Sequence, residues 1–145
     1  MSKSNAMENG MLLLFFNNTA FANIGNTGGL QPSSVGGNFY VSLHTADPGE
    51  AGDQTTSEIA YTSYARVAVA RSGSGWTVTN NSVSPAATIT FPAGTGGSGT
   101  ATYFGVGTAS SGAGVLLYSG AISPTIVCGN GITPSLTTAS TITED

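Results

Sequence analysis

The rhythm of apolar and polar positions changes near residue 38. Before it, Leu12, Leu13, Phe16, Ala20 and Ile24 recur mostly three or four residues apart, the spacing of one helix face. Asn17, Asn18 and Thr19 interrupt that face with residues that are poor in helix interiors, so residues 11–24 read as a short helix or as an extended arm. Residues 1–10 are polar and read as a mobile lead-in, and Gly25 to Gly37 is a Gly-, Asn-, Ser- and Pro-rich tether. From residue 38 the period is two. Phe39, Val41 and Leu43 share one face of a strand, opposite Tyr40, Ser42 and His44. Ala65, Val67 and Val69 then alternate with Tyr64, Arg66 and Ala68, which sets Arg66 mid-strand. Trp76 and Val78 alternate with Thr77 and Thr79, and Ala87, Ile89 and Phe91 alternate with Thr88 and Thr90 until Pro92 stops the run. Further strands are expected at 101–106, 115–119, 121–127 and 136–142, separated by glycine-rich turns.

About eight short strands with turn signals every eight to twelve residues is the pattern of a β-sandwich. The expected fold is therefore all-β: a single β-sandwich, jelly-roll-like and antiparallel, with an N-terminal arm or short helix. Its division would be an arm and tether at 1–37 and a sandwich at 38–145.

Composition narrows the function classes. Only 7% of residues are charged, against about 25% in typical domains, which suits a surface covered by neighbours in an assembly. Three cations, Lys3, Arg66 and Arg71, in a chain of net charge −4 cannot form the basic stripe that nucleic acid or an anionic membrane requires. The apolar run Met11–Phe16 is too short to span a bilayer, and it is shorter than a signal peptide's core, with Lys3 offset by Glu8. The single cysteine, Cys128, rules out an internal disulfide and reads as a small buried hydrophobe. The sequons at Asn17 and Asn80 are expected by chance in so Asn/Thr-rich a chain.

Candidate chemistry gathers between Leu43 and Arg66. Asp47, Glu50 and Asp53 in DPGEAGD are weak candidates for a calcium site, since their Pro-Gly and Ala-Gly turns splay the carboxylates. A solvated loop or an inter-subunit contact is the simpler reading. His44, without a second His or a G-x-S-x-G elbow, reads as a hydrogen-bonded structural residue. Arg66 is expected to pair with a carboxylate, Glu58 or Asp47, within the chain or across subunits. No catalytic constellation and no cofactor motif is present, so no enzyme is expected.

The same stretch resembles a widespread family of small tailed-phage virion proteins, usually described as tail-fibre-like. The resemblance rests on Leu43, Thr45, Asp47 and Pro48, then Glu58, then Tyr64-Ala65-Arg66-Val67-Ala68-Val69. It continues through Ala87–Pro92 (ATITFP), Ala101–Val106 (ATYFGV) and Leu116–Ala121 (LLYSGA), in the family's order across residues 38–142. Tyr103 and the GTGGSGT segment depart from the family's pattern. The resemblance implies a virion structural protein. Size, low charge and the arm favour a capsid decoration (cement) protein on the outer shell, acting through many weak contacts multiplied by avidity. A tail-fibre or tail-tip part that binds the host receptor is the alternative. A carbohydrate-binding module, with Tyr40, Tyr61 and Tyr64 as its aromatic face, is the third. Expected partners are other virion proteins, the major capsid protein ahead of tail proteins, and copies of the chain itself, as a trimer. Its expected location is the capsid surface, after synthesis in the host cytoplasm. Interface candidates are Leu12, Leu13, Leu14, Phe15, Phe16 and Phe21 on the arm, and Asp47, Glu50, Asp53, Glu58 and Arg66 around the acidic loop.

Overall fold

The computed structural model describes residues 2–144. The chain is all-β with one N-terminal helix, and its strands form several antiparallel sheets. It divides into two compact units.

The first unit comprises the residues up to Asn38, Val69–Thr88 and the residues from Thr137 onward. Its helix α1 spans Asn5–Phe16. Ser4 caps the start in extended backbone, its hydroxyl accepting from the amide of Met7 at 3.4 Å. The helix therefore begins within the segment whose polarity suggested a mobile lead-in. A cap and a first turn need no apolar residues, so hydropathy alone does not see them. Asn17 ends it with an amide bond back to Leu13 O, and Asn18 turns to φ +51°, a conformation that Asn tolerates better than most residues. The Asn18 side chain then pairs with both backbone polar groups of Ser33, donating at 2.8 Å and accepting at 2.9 Å, which ties the tether to the helix end.

Glu8, Leu12 and Phe16, four residues apart, make the buried face of α1. Leu12 and Phe16 are fully buried, and Phe16 meets Trp76 edge-to-face at a centroid distance of 4.9 Å, an arrangement that adds about 0.5–1.5 kcal/mol to simple area burial. Trp76 opens β3 (Trp76–Thr79), which pairs with β4 (Ser82–Pro85) and through it with β9 (Ile142–Thr143). Asn80, at φ +56°, makes the tight turn between the first two. Arg71 holds the other end of the helix. Its guanidinium donates to the last-turn carbonyls of Leu14 (2.9 Å) and Phe15 (2.5 Å) and to Gly36 O at 3.0 Å. A cation placed on orphan carbonyls also complements the helix dipole.

The second unit comprises Phe39–Ala68 and Ile89–Leu136. Its main sheet has the order β2-β1-β6-β7, with β1 at Asn38–His44, β2 at Val67–Ala70, β6 at Ser98–Gly107 and β7 at Leu116–Gly129. A small pair, β5 (Ile89–Thr90) with β8 (Ser135–Leu136), accompanies it. The core is Phe39, Val41, Leu43, Ile59, Tyr61, Phe91, Phe104 and Val106, with Cys128 as the buried thiol expected of it.

Three strand expectations change. Residues 115–127, read as two strands, form the single 14-residue β7, whose register against β6 slips where Ile122–Thr125 face Thr102. Gly120 does not break it, because Phe104 of β6 covers the space a side chain would take, its ring only 2.8 Å from an added Cβ. The segment 136–142 splits into β8 and β9 in separate sheets. Arg66 stands just before β2 rather than within a strand, its backbone freed from the ladder while its side chain turns inward.

The opposite fates of neighbouring helix residues are testable. Leu12→Ala should cost about 2–5 kcal/mol in denaturant unfolding, the usual loss for a cavity in a closed core. Phe15→Ala, at a position 38% exposed, should stay within about 0.5 kcal/mol of wild type.

Candidate functional site

The long connection from β1 to β2 carries the acidic loop, and its two halves behave differently. From Asp47 to Gly52 it is largely exposed, whereas Gln54 is fully buried and Glu58 mostly so. Asp47 accepts from the amide of Gly49 at 2.9 Å, and Asp53 accepts from the amide (2.8 Å) and hydroxyl (2.6 Å) of Thr55. Those bonds hold the Asp53 carboxyl below its ordinary range. The Asp47 and Asp53 carboxylates are engaged in local turns, and among the described residues no group of three His, Cys, Asp or Glu is placed to hold a metal ion. The second half of the loop, by contrast, turns into the unit, with Gln54 fully buried and the Glu58 side chain 16% exposed.

What it turns into is a buried polar network. Arg66 and Glu58 form a two-pronged ion pair, Nε to Oε1 and Nη2 to Oε2, both at 2.7 Å. The Arg66 side chain is 2% exposed and that of Glu58 16%. Glu58 Oε1 also accepts from Tyr64 OH at 2.9 Å, and the same phenol oxygen accepts from the amide of Leu43 at 3.0 Å. Burial, reinforced by the adjacent carboxylate, pushes the Tyr64 phenol well above its ordinary pKa, and Glu58 raises that of Arg66. Arg66 reaches on to Ala109 O (2.9 Å) and Gly112 O (2.8 Å) in the β6–β7 hairpin. Gln54 grips the same hairpin: its amide donates to Ala113 O and its Oε1 accepts from Ala109 N, both at 2.9 Å. The expected intrachain pairing of Arg66 with Glu58 is thus what the fold contains, and its purpose is to seat a hairpin. Gln54 was not singled out by sequence reasoning. The one local hint was a long amide side chain amid small and acidic loop residues.

His44 lies on the sheet face read as polar, yet both it and Ser42 are wholly buried. Its Nδ1 sits 2.8 Å from Thr56 O, a group that only accepts, so Nδ1 carries the proton. Nε2, 2.8 Å from Ser42 Oγ, then accepts from that hydroxyl. Gly105 leaves room for the pair, since a Cβ there would come within 2.7 Å of both side chains. The pair has the hydroxyl–imidazole contact of a nucleophile and its base, but no surface through which a substrate reaches it. Burial lowers the His44 pKa below its ordinary value, with the bond to Thr56 opposing in part.

Two open grooves flank this network. The larger, about 430 Å³, runs between Asp47, Glu50 and the glycines of the acidic loop on one side and Leu116–Ser119 of β7 on the other. The smaller, about 260 Å³, lies over Arg66 beside Ser110 and Ser111. Of the three tyrosines weighed as an aromatic face, Tyr61 is 2% exposed with its hydroxyl on Pro92 O at 2.8 Å, Tyr64 is half-buried with its hydroxyl in the network, and Tyr40 is half-buried on β1. Of the arm candidates, Leu12 and Phe16 are consumed by the chain's own core. Leu13 and Leu14 are half-buried, Phe15 is exposed, and Phe21 is half-buried with its ring against Gly10.

Family comparison then places this arrangement. The sequence pattern of the podophage GP4 fiber I protein gp80 family matches residues 2–143. The chain belongs to that family. It is a small phage virion structural protein of the tail-fibre type, as the motifs from Leu43 to Ala121 implied. The match extends beyond the motif-bearing residues 38–142 to the helix and tether. No curated protein matches the chain. A fibre protein implies contacts with other virion proteins.

Two outcomes follow from the network. Arg66→Ala should destabilise by about 3–5 kcal/mol, because it leaves a buried carboxylate unanswered, while the double replacement Arg66→Met with Glu58→Leu should cost far less. Chemical denaturation of the three proteins decides this. His44 should titrate, by NMR of its imidazole, below the ordinary value of about 6.5. The unfolded chain then binds a proton that the folded one refuses. The His44 contribution to stability is complete above about pH 6.5 and is lost as pH falls below it toward the folded value. A midpoint at or above 6.5 contradicts the burial argument.

Proposed function

We propose that this protein is a tail-fibre component of a short-tailed phage, a compact unit that presents the β6–β7 hairpin and the acidic loop to other surfaces at the tail. The family match across residues 2–143, to a protein described as a fiber, carries the reading. The architecture supports it: Arg66 and Gln54 fasten the hairpin's backbone, so its tip is displayed in one conformation. The role is structural rather than enzymatic, with the sealed Ser42–His44 pair acting in folding.

The capsid-decoration reading drew on a detachable arm. With Leu12 and Phe16 taken up by the chain's own core, that argument loses its anchor residues. Immunogold labelling of intact particles tests the choice. Label at the tail is expected; label over the head would restore the decoration reading, and unlabelled particles with the protein absent from the purified virion would overturn both.

A further inference from the structure

We infer that the open groove over Arg66, rimmed by Ser110 and Ser111 at the tip of the β6–β7 hairpin, binds one sugar unit of a neutral saccharide on the host surface. The inference deepens the tail-fibre reading above, on which it rests, by naming the chemistry that the displayed hairpin meets. Three observations lead to it.

The first is a set of hydrogen-bonding groups that the fold leaves free. Ser110, Ser111 and Gly112 line the groove and are exposed. Among the described residues, neither the two hydroxyls nor the three backbone amides has a hydrogen-bond partner. The hold on the hairpin uses other groups, the carbonyls of Ala109, Gly112 and Ala113 and the amide of Ala109. Glu58, also in the lining, accepts two bonds at Oε1 but only one at Oε2, from Arg66 Nη2. A carboxylate oxygen can accept two, so Oε2 has capacity for one more donor.

The second is charge balance. The Glu58 carboxylate is answered by Arg66 at 2.7 Å, so the groove offers polar contacts without a net charge. The chain's net charge of −4 adds a bias against acidic ligands. Donors and acceptors side by side, with neither sign in excess, suit a ligand whose own groups do both. A hydroxyl does both, whereas a carboxylate only accepts and an ammonium only donates.

The third is size and lining. At about 260 Å³ the groove falls below the roughly 300 Å³ at which pockets for drug-sized molecules begin. It is open, so a long ligand can seat one unit and continue outside. Tyr64 and Ala65 add carbon surface among the polar groups. A sugar ring, carbon-framed and bearing several hydroxyls, matches both kinds of wall. A protein partner anchors large aromatic or arginine side chains in well-packed pockets, for which an open groove of this size is a poor seat.

Host-cell surface polysaccharides, separated into neutral and acidic pools, immobilised and probed with the purified full chain, test this. The expected result is binding to the neutral pool in preference to the acidic one. Ser110→Ala with Ser111→Ala should lower that affinity by about tenfold, the loss of two neutral hydrogen bonds. The thermal midpoint of the double variant should stay unchanged, because neither side chain takes part in the hold on the hairpin. In NMR titration with oligosaccharides released from the neutral pool, the amides of Ser110, Ser111 and Gly112 should shift while that of Phe15 stays in place. No binding to the neutral pool, preference for the acidic pool, full affinity in the double variant, or shifts confined to other residues would each overturn the inference. Any of these with immunogold label at the tail sinks the saccharide site alone, whereas label over the head removes the tail reading beneath it.

Discussion

The Arg66–Glu58 pair is the interaction on which the second unit depends. A guanidinium that is 2% exposed has lost its hydration, and only a full set of acceptors makes that tolerable. Glu58 supplies two of them, and the carbonyls of Ala109 and Gly112 supply the others. Each bond joins segments distant in sequence, so one side chain brings together the end of the acidic loop, the approach to β2 and the β6–β7 hairpin. Tyr64 completes the circuit by passing the amide of Leu43 on to Glu58, which ties the network into the central strand β1. An arginine is required here; a lysine could offer a charge but not the planar fork that serves four oxygens at once.

The first unit solves the same problem with the same residue type. Arg71 answers the unpaired carbonyls at the end of α1, and its backbone amide bonds to Gly37 O in the tether at 2.9 Å. In a chain with so few charges, each arginine closes a place where backbone carbonyls would otherwise lack a donor. The low charge content that suggested a covered surface has a second source: most of the polar work is done by backbone, hydroxyl and amide groups.

Much of this was legible in the residues. The period-two runs located β1, β3 and most of β6, and of the two carboxylates expected to pair with Arg66, Glu58 and Asp47, the fold brings Glu58. Of the family motifs, Leu43, Glu58, Tyr64 and Arg66 meet in this network. What escaped depends on tertiary context. Gly120 looked like a strand break, but it leaves room for the ring of Phe104 on the neighbouring strand. His44 and Ser42 looked solvent-facing on a half-buried strand, whereas the folded-back loop carrying Thr56 buries that face too. The start of α1 among polar residues depends on one serine cap, and its far end on the packing of Phe16 against Trp76, neither visible as periodicity. Gln54 offers only a faint local hint of its role, because the Ala109 amide that its Oε1 holds lies far along the chain.

The way that hairpin is gripped has a consequence for variation. The hydrogen bonds from Arg66 and Gln54 go to its main chain: the carbonyls of Ala109, Gly112 and Ala113 and the amide of Ala109. Shape is therefore set without reading the side chains at Ser110 and Ser111, which stand exposed at the tip. Gly114 is the fixed point, at φ +54° with Gln54 Oε1 2.4 Å from where a Cβ would lie. Between these constraints the tip is a socket whose residues are interchangeable, so a lineage can rewrite what the surface says without rebuilding the fold that displays it.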